Sequence, residues 1–363
     1  MSQAEYKLLF GATPATKEQL ARLETVTVEQ EANKPWQARL AVSVCLDDQG
    51  NWTDDDDPFM QISSRIRIEV KVGDGAFTAL IDGPVVGFDS DRRSAPGQST
   101  VTVVVHDDTA LMHQTATVAS FAPGTADSDI ARRVFGNYAG TITPDHIEDT
   151  PPPTNTRPPE LRQRGTDIQL LRQLAQRNDF VCGVVPTDVP AVSSGIFHSL
   201  KVFTDSPPAL VLLGAKRNIE AFDVRLNAQG QSNVVASTLS FGNKQVVTRR
   251  SQVRDIGMAG EELLPPGNGE DVDLQHRVDR EASRRNRPFE ATGSVRQACY
   301  AGVLLPFRNV PVQLGATSNS AEYTIFKVTH TLGRSDYRQD FTLVAETLSE
   351  SAAGGGLIPA GLF

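Results

Sequence analysis

The chain has 363 residues, 39% of them hydrophobic and 22% charged, so a sizeable core can be buried and two or three domains fit. Its formal net charge is -9 and its pI about 5.2. That balance argues against non-specific nucleic-acid binding, which works by neutralising phosphates with Lys and Arg, and against docking on an anionic membrane surface. There is no run of about 18 apolar residues and no basic stretch followed by an apolar one at the N-terminus, so neither a transmembrane helix nor a secretory signal is predicted. Aromatic content is low at 6%, while Gly (28) and Pro (22) interrupt the chain often, which favours many short strands over long helices.

In chain order, Lys7 to Phe10, Leu23 to Val28 and Trp36 to Cys45 are expected as strands, with a short helical turn over Thr16 to Arg22. In the third, Ala38, Leu40, Val42 and Val44 share one face at a period of two. Ile66, Ile68, Val70 and Val72 alternate with Arg65, Arg67, Glu69 and Lys71, and Gly73-Asp74-Gly75 turns them into a hairpin returning through Phe77 to Ile81. Gly83-Pro84 is read as a break, with strands resuming at Val85 to Phe88 and Ser99 to His106. Five or six strands in about 100 residues predict a closed or nearly closed antiparallel barrel, since closure removes exposed edges.

From Asp107 the pattern changes, and Asp107 to Gln114 (DDTALMHQ) can start a short helix. Asp127 to Tyr138 is a predicted helix with Asp127 or Ser128 as cap, and Thr166 with Gln169 forms a capping box opening a helix to Asn178. Asp149 to Pro159 is Pro-rich and extended; Phe180 to Val185 and Ile196 to Phe203 read as paired strands. Residues 107–205 are therefore taken as an α/β insert. Strands return at Leu210, Ile219 to Leu226, Asn233 to Phe241 and Gln245 to Thr248, then a Gly- and Pro-bearing excursion over 252–269. A charged helix over Val272 to Arg287 precedes strands near 290–295, 310–314, 323–332 and 339–345, and SAAGGGLIPAGLF closes the chain as a flexible, apolar-tipped tail. The fold class is mainly β with an α+β insert: a first tube-like barrel (1–106), the α/β insert (107–205), a second tube-like barrel (206–350) and a tail (351–363).

Chemistry-bearing patterns are sparse. The six histidines form no HExxH pair, and neither a nucleophile elbow nor a P-loop occurs. The acidic run Asp54 to Asp57 lacks the ligand spacing of a calcium loop and is read as solvated. Cys45, Cys182 and Cys299 are isolated and read as reduced core residues. No catalytic residue, cofactor site or metal site is nominated, and no enzymatic role is expected. The one basic concentration puts Arg277, Arg280 and Arg284 at helical spacing on one face, a solvated face or a subunit interface.

Several segments in fixed order resemble the baseplate hub proteins of contractile tails: the phage late control protein D family, the hub half of VgrG and the hubs of extracellular injection systems. They are SDIARRVFGNY (128–138), TDIQLLRQLAQRNDF (166–180), PPALVLLGAKRNIEAFDVRLN (207–227), FEATGSVRQ (289–297), VPVQLG (310–315) and EYTIFKVTHTLGRSDYRQDFTLV (322–344). The resemblance implies two tube-like barrels per chain. It implies a homotrimeric ring that adapts a sixfold inner tube to a threefold spike, with tail tube protein, a spike on a separate chain and other baseplate proteins as partners. It implies synthesis in a bacterial cytoplasm and assembly into the baseplate of a phage tail or injection particle. Leu357, Ile358, Leu362 and Phe363 are then candidates for the spike contact. The alternative reading is a β-rich carbohydrate-binding or carbohydrate-active tail protein.

Overall fold

A computed structural model of the chain describes residues 4–345 except 47–48, 51, 53–56, 96, 154–159, 227–231, 240–243, 252–259, 265–270, 286, 316–319 and 335; within its elements the side chains of 232, 239, 271–273, 276, 277, 284 and 285 are not described. It is mainly β, 49% strand and 14% helix, as the strand-rich composition requires.

The first part holds β1 (Ala4–Phe10), β2 (Thr13–Pro14), helix α1 (Lys17–Ala21), β3 (Leu23–Glu31), β4 (Gln37–Ser43), β5 (Arg65–Val72), β6 (Thr78–Asp91) and β7 (Thr100–His106). The middle part holds α2 (Thr109–His113), β8 (Ala116–Phe121), α3 (Asp127–Gly136), β9 (Ile142–Ile147), β10 (Leu161–Thr166), α4 (Asp167–Arg177), β11 (Val181–Pro186) and β12 (Ser193–His198). The last part holds β13 (Leu210–Val211), β14 (Phe222–Leu226), β15 (Ser232–Leu239), β16 (Val246–Arg250), β17 (Gly260–Leu263), α5 (Asp271–Arg285), β18 (Phe289–Arg296), β19 (Asn309–Gln313), β20 (Glu322–Leu332) and β21 (Tyr337–Ala345).

The first and last parts are not separate sheets. One open path runs β14-β18-β21-β20-β3-β4-β7-β6-β5-β1-β2, with β19 and β13 branching from β20, thirteen strands in all. The seam is the antiparallel pairing of β20 with β3, from Lys327 opposite Glu31 to Leu332 opposite Val26. Neither half closes into a barrel among the described residues. Alternation dictated which face of each strand is buried, but closure depends on which edges meet, and the edge of β3 is taken by a strand 300 residues away.

The predicted break at Gly83-Pro84 is also corrected. β6 is continuous and changes partner there: Thr78 to Pro84 pair with β5, and Val85 to Asp91 with β7. Glycine is needed at the crossing, because a Cβ on Gly83 would stand 1.9 Å from the His106 carbonyl oxygen. Pro84 is tolerated because a proline at an irregular point of a strand removes no ladder donor that matters.

Among the described residues burial divides the molecule into four cores. The first packs Leu8, Val28, Leu40, Ile68, Val103 and Trp36 under the N-terminal strands and extends to Leu332 and Tyr337. The second fills the α/β part with Ile130, Phe135, Leu171, Leu174, Phe180 and Phe197. The third joins Val295, Tyr323, Ile325, Val328, Phe341 and Leu343 under the C-terminal strands. Each such residue contributes on the order of 1.5–3 kcal/mol by leaving water. A fourth, small core holds α5 (Leu274, Val278, Ala282) on β15 (Val234, Ala236).

In the α/β part, β11-β12-β9 form a three-stranded sheet with β9 parallel, and β8 with β10 a two-stranded ribbon. The α3 cap is Ala126, without a side-chain bond, rather than Asp127 or Ser128. Asp127 instead holds Arg177 and Asn178 at the far end of α4. At α4 the Gln169 side chain accepts from the Thr166 N–H at 3.0 Å, as the capping-box reading expects. The partner strand read as Ile196 to Phe203 is β12, Ser193–His198, and the chain beyond it is a linker. β8, β9, β10 and β17 were not foreseen as strands.

Candidate assembly surfaces

The seam between the two halves of the large sheet is built from buried polar side chains. On the buried face of β20, His330 lies between Val328, which belongs to the third core, and Leu332, which belongs to the first. Its Nδ1 is 2.8 Å from the Tyr337 hydroxyl and its Nε2 3.1 Å from Gln30 Oε1. Gln30 donates in turn to the Leu80 carbonyl at 2.7 Å. These partners assign the neutral tautomer with the proton on Nε2, bonding Gln30, while Nδ1 accepts from Tyr337. Burial pushes the imidazole down to about 3, so it stays uncharged. Beside it, Gln339 accepts from the Leu304 N–H at 2.7 Å and donates to the Gly302 carbonyl at 2.9 Å. Every member is satisfied, so the network fixes the register of β3, β20 and β21 instead of weakening the core.

A second network fastens the first part to the α/β part. Arg65 forks onto Asp108 at 2.8 and 2.7 Å and reaches Asp82 at 2.6 Å; Arg67 reaches Asp82 at 3.0 Å and Glu69 at 2.6 Å. From the α/β side, Ser193 donates to Asp108 at 2.6 Å and the Ala191 N–H to Asp82 at 2.9 Å. Arg67 is only 1% exposed. Arg65 and Arg67 face the neighbouring part, and three carboxylates, Asp82, Asp108 and Glu69, compensate them. Next to them, Asp107 accepts from the Trp36 N–H at 2.6 Å and from the Thr109 N–H and hydroxyl. Burial pushes its carboxyl up to about 7 against those donors.

A cleft of about 250 Å³ opens where the three parts meet, lined among others by Trp36, His146, Asp188, Phe203, Leu305 and Arg308. Phe203 lies between the edge of His146, 4.8 Å away, and the Arg308 guanidinium, 4.3 Å away. Arg308 also reaches Asp205 at 2.7 Å.

Of the nominated interface residues, Arg280 bonds the Asn178 carbonyl and lies 5.3 Å over the Phe180 ring, so it is engaged inside the chain. Arg287 adds an ion pair to Asp179 at 3.0 Å. Together they hold α5 against the end of α4. The side chains of Arg277 and Arg284, and Leu357, Ile358, Leu362 and Phe363, lie outside the described residues. Asp54 to Asp56 do too, but Asp57 is buried: it caps a 3₁₀ turn at Phe59 and pairs with Arg22. Cys182 is buried, as expected; Cys45 and Cys299 are exposed, contrary to the core reading. Among the described residues no group of three or more His, Cys, Asp or Glu is placed to hold a metal, and no helix is long and apolar enough to cross a membrane.

No protein-family model matches the sequence, and no curated protein matches it. Solved structures do. A tail protein from Neisseria meningitidis superposes over 94% of this chain and 97% of its own, with a TM-score of 0.65 and 11% identity. The 43 kDa tail protein of prophage MuSo2 from Shewanella oneidensis covers 94% and 98%, at 0.63 and 14%. The chain has the fold of these tail proteins. The same fold extends to an E. coli type VI secretion component described as structurally similar to the T4 bacteriophage tail proteins gp27 and gp5, at a TM-score of 0.55, 12% identity, and coverage of 93% and 77%. The tail-protein fold thus holds over nearly the whole chain while 86% or more of aligned positions differ, so it is carried by the core pattern and not by shared motifs.

Proposed function

We propose that this chain is the structural hub of a contractile-tail or injection-system baseplate, with three copies forming a ring that adapts a sixfold tube to a threefold spike. The observation carrying the reading is the pair of hydrophobic cores on one continuous sheet, one under each half. Two like units per chain give six around a threefold ring, the number a sixfold tube needs. The likeness to tail proteins supports this reading over other uses of a large β-sheet.

Under it, the halves 1–106 and 206–350 are the two tube-like units, and their open sheet is completed by neighbouring copies rather than by closing on itself. The α/β part, 107–205, braces them from one side. Partners are tail tube protein, spike protein and other baseplate proteins, and the role needs no catalysis. The chain is made in the bacterial cytoplasm and ends in the assembled particle. The interface role first given to the Arg face of α5 narrows to Arg277 and Arg284, and the apolar tip with Leu357, Ile358, Leu362 and Phe363 contacts the spike. Deleting 354–363 is expected to abolish co-purification with the spike protein; unchanged recovery contradicts that contact. For the ring itself, sedimentation at micromolar concentration with tube protein present is expected to give three copies per complex, and a persistent monomer contradicts it.

A further inference from the structure

The chain between Leu226 and Phe289 leaves and rejoins the large sheet at one point, because these two residues are the last pair of the β14–β18 hairpin. It carries the sheet β16-β15-β17 and α5. Helix α5 covers one face, through Val234 and Ala236. Strand alternation turns Val235, Ser237, Val246, Thr248, Arg250, Glu261 and Leu263 to the other face, where Val246 is 71% and Leu263 72% exposed. Both outer strands present an edge with no strand beside it among the described residues. Free edges flanking exposed aliphatic side chains are sites of strand addition unless something covers them.

We infer that this small sheet is a joint between copies of the chain: the β16 edge of one copy adds to the β17 edge of the next, head to tail. This rests on the ring reading above. Charge selects the arrangement. β16 carries Arg249 and Arg250; β17 carries Glu261 and Glu262. Joining like edges, as a twofold dimer would, sets Arg against Arg or Glu against Glu, whereas joining unlike edges sets Arg against Glu. Within one copy Arg250 and Glu261 already bridge each other across β15, which holds the two signs in place on the outer face. β16 is antiparallel and β17 parallel to β15, so β16 meets the next β17 in the antiparallel sense. A head-to-tail contact of this kind closes into a ring when its rotation allows. Leu263 and the Val246 of the neighbour then lie on the same outer face across the joint, where each shields part of the other from water.

Sedimentation velocity of the full chain tests the joint with four variants: Arg250→Glu, Glu261→Arg, the double swap, and Leu263→Asp. Leu263→Asp and the double swap are expected to keep the wild-type melting profile as monomers, and the two single swaps to lower it only slightly, since the internal bridge they break is exposed. Arg250→Glu, Glu261→Arg and Leu263→Asp are each expected to weaken self-association about tenfold or more. The double swap restores it, since it inverts both edges and keeps the internal bridge. A wild type that associates while all four variants associate equally well overturns the joint and leaves the ring reading standing. A wild type that stays monomeric with tube and spike proteins present overturns the ring reading itself.

Discussion

His330 shows how much a single residue does at the seam. Its folded pKa of about 3 lies below the ~6.5 of an unfolded histidine. Between those values the unfolded chain takes up a proton that the folded one refuses, so stability falls as pH falls, by up to ~1.4 kcal/mol per pH unit. Asp107 opposes this: with a folded pKa of about 7, it is protonated in the folded chain and ionised in the unfolded one over much of the same range, so it stabilises as pH falls. The wild-type profile therefore blends the two, and His330→Gln separates them. Urea unfolding at pH 5 and pH 7 is expected to show a change in stability from pH 7 to pH 5 about 2 kcal/mol more favourable in the variant, because in the wild type the His330 loss and the Asp107 gain nearly cancel; identical pH slopes contradict the account. Asp82 is the matching case among carboxylates. Asp82→Asn strips Arg67 of its buried countercharge and is expected to cost about 3–5 kcal/mol in denaturant unfolding. In the sequence His330 is one of six histidines in no metal-pair spacing, and Arg67 is one of the charged residues that alternate with Ile66, Ile68, Val70 and Val72. The partners that decide both, Gln30 and Asp82, lie 300 and 15 residues away, and no local pattern points to them.

At the scale of elements, most of the long strands and all of the helices were legible, because period-two alternation, a capping box and a Gly-Asp-Gly turn are local signals. β5 and β6 meet around Gly73 to Gly75 as read, and α4 starts at its capping residue. What was missed has a common cause. β8 and β10 are short and largely exposed, and β9 and β17 pair in parallel with distant strands, so neither pattern nor turn announces them. Gly83 was read as a stop when it is a crossing: it permits β6 to leave β5 for β7 with the His106 carbonyl against its Cα. Gly83→Ala is therefore expected to lower stability by about 3 kcal/mol, a larger loss than glycine replacement at an open position such as Gly87. Equal, small effects at both sites in thermal melts contradict the crossing as the reason for glycine.

For the molecule as a whole, composition and alternation gave the mainly-β class, but not the continuity of the sheet. Closing each part on itself was the local solution to exposed edges; the chain instead joins its two parts through β3 and β20, and among the described residues the outer edges stay open. Leu332 and Tyr337 of the C-terminal strands lie in the N-terminal core and so tie the two halves of the sheet together, and under the proposed ring each half is one of the two units a subunit presents. That is the property a threefold ring needs in order to present six units. Electron microscopy of the purified chain bound to its tube protein measures this directly. The account predicts a threefold ring with two lobes per subunit, six lobes in all, stacked on the sixfold tube. A single copy on the tube, or a ring of six copies, contradicts it.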